Sequence, residues 1–189
     1  MSKIILFAFA LFSLSIISTE NTFAQNSRKK TEVNKKNNKN NTKQTIKQVS
    51  KPKQVTVHTL PPKYVTVKHN GLTYYRSGSN YYKKINSKYV LVAPPVGLIT
   101  TIANTVLKTI IHNNKTYYTS GGIIYQQKGN NNYVVTQPEY GMIVPELPEV
   151  NVREVYVDGT IFFEFENVLY KQIPTSQGVQ YQVVGTLNN

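Results

Sequence analysis

From Val55 onward, apolar and polar residues run in short stretches that stop at turn-forming residues. Tyr64 to Lys68 lead into Asn70-Gly71, and Leu72 to Arg76 lead out. β-branched and aromatic flanks around two residues that tolerate positive φ predict a two-residue type I′ hairpin. The arrangement recurs at Asn113-Asn114 and at Asp158-Gly159, Asn being tolerant of the left-handed region. A second turn follows each hairpin, at Gly78-Ser79-Asn80, Gly121-Gly122 and Glu166-Asn167. A fourth strand then ends at a break containing Pro or Gly. No segment carries a sustained helical period with caps. The pattern predicts an all-β protein.

The hairpins belong to a longer repeat. Tyr75, Tyr118 and Phe163 stand 43 and 45 residues apart, and Tyr82, Tyr125 and Tyr170 keep the same intervals. Tyr89-Val90-Leu91-Val92 matches Tyr133-Val134-Val135-Thr136 and Tyr181-Gln182-Val183-Val184. Pro95-Val96-Gly97-Leu98-Ile99 matches Glu139-Tyr140-Gly141-Met142-Ile143. Three tandem antiparallel meander units are expected, over residues 59–101, 102–144 and 145–189. A unit of this size is near the lower limit for folding alone. Without cysteine it has no disulfide to staple it. The units should therefore bury surface against one another, as small barrels in a row or as one sandwich.

The chain begins differently. Lys3 precedes Ile4 to Ile17, a run of 14 residues that is apolar except for Ser13 and Ser15. It is too short to span a bilayer, which takes about 20 apolar residues. Thr22-Phe23-Ala24 follows, and a short apolar run closed by a small residue is the layout of a secretory signal peptide. Residues 1–24 are expected to be removed by cleavage between Ala24 and Gln25. The mature chain is then exported, to the periplasm, the outer-membrane surface or the exterior. Residues 25–58 read as a disordered basic tail and linker, because Val33, Ile46 and Val49 are the only aliphatic residues up to Lys53.

Charge adds a direction. Residues 25–53 carry ten Lys or Arg against the single acid Glu32. The three units that follow carry net +6, +2 and −4. The tail is either a solvated spacer that holds the folded part away from its neighbours or a tether to anionic envelope material, lipid headgroups or polysaccharide. It is also a candidate to fold back on the acidic third unit. Export argues against a nucleic-acid partner, and no stretch is apolar enough to make a transmembrane helix.

No catalytic, metal or cofactor site emerges. His69 and His112 are equivalent, but Val157 replaces them in the third unit, so the position reads as packing or surface. Glu164 and Glu166 share a strand face without a cleft between them. The tyrosine doublets are the candidate ligand contacts: Tyr74, Tyr75, Tyr81, Tyr82, Tyr117 and Tyr118, with Tyr125 and Tyr170. Strand neighbours point to opposite faces, so one member of each doublet should face outward, either to stack on sugar or grip a peptide, or to pack across strands against the tyrosines of its own sheet.

One family shares these strings. Leu60-Pro61-Pro62-Lys63-Tyr64, Asn70-Gly71, Tyr74-Tyr75, Tyr81-Tyr82 and Lys88-Tyr89-Val90-Leu91-Val92-Ala93-Pro94-Pro95-Val96-Gly97 resemble a bacterial exported family of unknown function, numbered 6515. Its members repeat an LPPGY-like start, an NG hairpin, a tyrosine run and a GYVVVAPP-like end. The resemblance covers roughly residues 59–189 and implies export and a β-repeat, not an activity. The expected function is a non-catalytic structural or interaction module of the cell envelope. The alternatives are a carbohydrate- or peptidoglycan-binding module using exposed tyrosines and a carboxylate-dependent hydrolase.

Overall fold

In the computed structural model of the protein, residues 3–5, 46–48, 50–176 and 178–188 are described. The cleavage site at Ala24 and Gln25, most of the leader and residues 25–45 lie outside them. Two short strands come first, β1 (Lys3–Ile5) and β2 (Ile46–Gln48). The first sheet contains β3 (Thr56–Val57), β4 (Val65–His69), β5 (Leu72–Ser77), β6 (Asn80–Ile85) and β7 (Lys88–Val92). The second contains β8 (Ile99–Thr101), β9 (Lys108–His112), β10 (Lys115–Ser120), β11 (Ile123–Gln127) and β12 (Asn132–Val135). The third contains β13 (Ile143–Val144), β14 (Arg153–Val157), β15 (Thr160–Phe165), β16 (Val168–Thr175) and β17 (Gly178–Asn188). The described residues contain a single turn of 3-10 helix, Asn104–Val106, and no α-helix.

The repeat is a repeat of sheets. Each is an antiparallel four-strand meander closed by a fifth, short strand that precedes it in sequence and pairs with its last strand. Thus β3 pairs β7, β8 pairs β12 and β13 pairs β17. Backbone bonds mark the same return: Leu91 N–H donates to Val55 O, Gly97 N–H to Val135 O, and Gly141 N–H to Val183 O. The predicted frame moves accordingly. The Pro95 to Ile99 block opens the second sheet instead of closing the first unit. The Glu139 to Ile143 block likewise opens the third. β2 and β3 also show that residues 46–48 and 56–57, expected within an unstructured tail and linker, are paired strands.

The predicted turns form. Asn70-Gly71, Asn113-Asn114 and Asp158-Gly159 all have positive φ and join strands in two-residue register, His69 opposite Leu72, His112 opposite Lys115 and Val157 opposite Thr160. That register puts Val67, Tyr74 and Tyr81 on one face of the first sheet. Ile110, Tyr117 and Ile124 in the second sheet meet them in one contiguous buried cluster, together with Phe165, Val168, Tyr170 and Val183 of the third. The three sheets therefore share a core. At its centre the hydroxyls of Tyr81 and Tyr125, from different sheets, hydrogen-bond at 3.1 Å. Burial raises the pKa of both phenols, so both stay neutral.

Candidate functional site

The outward member of each tyrosine doublet is not open to solvent. Tyr74, Tyr81, Tyr82, Tyr117, Tyr125 and Tyr170 are buried, and Tyr75 and Tyr118 are half-buried. Tyr81 and Tyr82 do point to opposite faces, yet both are covered. Tyr81 enters the shared core, while Tyr82 packs with Leu91 and Val150 in a smaller cluster whose edge includes Val55, Val57 and Leu60. The segment before β4 and Val150, from the link between β13 and β14, roof the face that a lone meander would expose. An outward ladder of one tyrosine per doublet is therefore not what the repeat builds; cross-strand ring packing is.

What repeats is an edge-to-face ring pair in each sheet. Tyr75 meets Tyr89 at 5.3 Å, Tyr118 meets Tyr133 at 5.2 Å, and Phe163 meets Tyr181 at 5.5 Å between centroids. T-shaped pairs at such distances add about 0.5–1.5 kcal/mol each beyond their burial. In the first sheet the row goes further. Tyr64, 48% exposed, packs on Tyr75 at 5.7 Å, and Lys84 Nζ sits 5.8 Å from the Tyr89 centroid. Lys63, Lys68, Lys84 and Lys88 are exposed on the same sheet, which contains no acid from Thr56 to Val92. An open cleft of about 310 Å3 lies beside it, between β4 and β8, and includes Lys68, Thr100, Thr101 and Asn132.

The histidines and carboxylates have structural employment. The His69 ring lies against Gly97, and the His112 ring against Gly141 and Tyr140 O. Each histidine thus meets the glycine that opens the following sheet. The third sheet has no following sheet, and Val157 stands there instead. Between the second and third sheets, Glu139 accepts from Lys115 Nζ at 2.7 Å and from the Tyr117 hydroxyl at 2.5 Å. Glu146 accepts from Lys108 Nζ at 3.0 Å and from Gly121 N–H at 3.1 Å. Glu164 is buried, accepts from Asn167 N–H at 2.6 Å and is paired with Arg153. Among the described residues no cluster of three His, Cys, Asp or Glu is placed to hold a metal ion.

Glu139 links these contacts to pH. Hydrogen bonds from Lys115, Tyr117 and Asn113 lower its pKa from 4.5 to about 2. A carboxyl with a depressed folded-state value stabilises the fold above its unfolded value and loses that contribution as pH falls through the folded one. The melting-temperature gap between the native chain and Glu139→Gln should therefore be constant above about pH 5 and shrink toward pH 2. A gap unchanged down to pH 2 would show that the ionised Glu139 carboxylate contributes nothing to stability.

Sequence reasoning missed Tyr64, Glu139, Glu146 and β2. In the sequence Tyr64 reads only as a strand flank of the first hairpin, Glu139 as part of the block that closes the second unit, and Glu146 only as one of the third unit's acids. For β2 a signal existed, since Ile46 and Val49 are two of only three aliphatic residues in the lysine-rich stretch.

Comparison with known proteins gives one match. The model of the Family of unknown function (DUF6515) matches residues 38–186, from within the lysine-rich segment to β17. No curated protein and no solved structure matches. Among the described residues no helix is long and apolar enough to cross a membrane. With its repeated hairpins, closing strands and ring pairs all inside the matched span, the chain belongs to the Family of unknown function (DUF6515).

Proposed function

We propose that the chain is an exported, non-catalytic β-repeat module of the bacterial cell envelope. It attaches to anionic envelope material, lipid headgroups or polysaccharide, through its lysine-rich N-terminal segment and its basic first sheet. One observation carries this reading. Three acids of the folded part, Glu139, Glu146 and Glu164, are engaged by bases or backbone N–H groups around the third sheet. The first sheet meanwhile presents lysines with no acid of its own. Committed carboxylates also support a non-catalytic role. Cleavage after Ala24 would remove β1, which pairs with the end of β17, and leave the three closed meanders intact.

Co-sedimentation of the mature chain with anionic and with neutral vesicles, and retention on acidic polysaccharide, test the reading. Binding should require anionic material and weaken as salt rises. A lysine near an anionic surface contributes about 1 kcal/mol. Lys68→Gln with Lys84→Gln and Lys88→Gln should therefore weaken vesicle binding by about a hundredfold at low salt. Equal binding to neutral vesicles would sink the proposal. Equal retention with and without residues 25–43 would sink the tether and leave only the sheet.

The half-exposed row Tyr64–Tyr75–Tyr89 favours a second reading, stacking on sugar rings. It predicts retention on neutral polysaccharide that survives high salt and is lost in Tyr64→Ala.

A further inference from the structure

Each meander opens with an outer strand: β4, β9 and β14. The outer edge of β14 is occupied. β2 lies along it antiparallel, Ile46 opposite Val157, Lys47 opposite Tyr156 and Gln48 opposite Val155. Two contacts extend the docking: Glu154 N–H donates to Ser50 Oγ at 2.8 Å, and Asn151 N–H donates to Lys53 O at 3.3 Å. A segment that leads into the first sheet thus completes the third.

Three features make this docking exchangeable. The strand is three residues long and is read through its backbone, so an identical segment from elsewhere would fit equally well. The wider charges also match: the docking segment belongs to the stretch carrying net +9, while the acceptor strand, with Arg153 and Glu154 and followed by Asp158, belongs to the unit carrying net −4. Finally, only residues 49–55 separate β2 from β3, so a released β2 stays close to its own first sheet and is presented to a neighbouring molecule.

We propose that the outer edge of β14 is a strand-docking site that the Ile46–Gln48 segment of a second copy fills, joining chains by exchange of β2. Exchange of an identical element needs no new interface, because every contact made between molecules is one already made within one. It also keeps the edge of a large sheet covered, which an exposed strand edge otherwise lacks. The inference rests on the pairing of β2 and not on the anion-binding reading, so either can fail alone.

The absence of native cysteine allows a clean test. Two mature-length variants, Lys47→Cys and Tyr156→Cys, are mixed in equal amounts and mildly oxidised. Neither can form an internal bridge. The mixed disulfide dimer should exceed the share that random pairing gives and should grow with protein concentration. Adding Gln48→Pro to the Lys47→Cys chain should abolish that excess, since proline cannot donate to the ladder. Ser50→Cys with Glu154→Cys repeats the test at a second contact, should Tyr156→Cys disturb folding. Sedimentation of the mature chain then shows whether exchange closes a dimer or propagates along a row; either form supports the proposal. Mixed dimers at the random share, or an excess that survives Gln48→Pro, would overturn it.

Discussion

Gly122→Ala is expected to destabilise the chain by about 3 kcal/mol, whereas Gly159→Ala should lose about 1 kcal/mol. Both glycines take the second position of a two-residue hairpin turn, with φ of +76° and +83°. A side chain in that left-handed region is strained at either site. The surroundings differ. A Cβ on Gly159 would meet nothing within 4 Å. A Cβ on Gly122 would come within 2.4 Å of Pro148 N and 2.5 Å of Leu147 C, both backbone atoms. Something must shift there, and what shifts is the segment that leads into β14. Urea unfolding of the two variants beside the native chain measures the difference, worth roughly 5 °C in melting temperature for a domain of this size. Equal losses would show that the β10–β11 turn is not a packing point against the third sheet.

These two glycines also show which part of the fold was legible. A local signal predicts a local structure. Asn-Gly, Asn-Asn and Asp-Gly between β-branched runs demand hairpins, and the hairpins are there in the predicted register. The interval between tyrosines likewise reported a real repeat, because each repeat folds into one meander. What escaped were pairings between distant segments with no turn to announce them. β3, β8 and β13 are two or three residues long and return to strands some thirty residues onward. Periodicity therefore placed unit boundaries a few residues late. β2 is the extreme case: it pairs with a strand more than a hundred residues away, from a stretch whose composition argues for disorder. The site suffered in the same way. Strand alternation gave the facing of Tyr81 and Tyr82 correctly. It could not say that both faces are covered, since the covers come from another sheet and from the segment before β4. The histidines show the same limit of a local reading. Val157 at the third position argued against chemistry, and the structure adds that His69 and His112 pack on the opening of the next sheet.

One position shows how a repeated scaffold carries different contacts. Arg76, Thr119 and Glu164 occupy matched places on β5, β10 and β15, opposite Val65, Lys108 and Arg153. Arg76 reaches the neighbouring sheet, donating to Thr100 Oγ1 at 3.2 Å and Thr101 O at 2.6 Å. Thr119 is buried. Glu164, 4% exposed, turns to Arg153 across its own sheet and to Asn167 N–H at the adjoining turn. Removing one partner of a buried ion pair leaves the other charge without compensation, which typically destabilises by about 3–5 kcal/mol. Arg153 is itself partly open to water, so Arg153→Met should fall at the low end, about 3 kcal/mol. Adding Glu164→Gln removes the stranded charge and keeps an oxygen for Asn167 N–H. The double variant should therefore recover most of the loss, as replacement of both partners of a buried pair is often nearly neutral. Urea unfolding of the native chain, the two single variants and the double variant forms a complete cycle that isolates the pair. A double variant no more stable than Arg153→Met would mean that Arg153 acts through packing of its aliphatic stem rather than through the charge of Glu164.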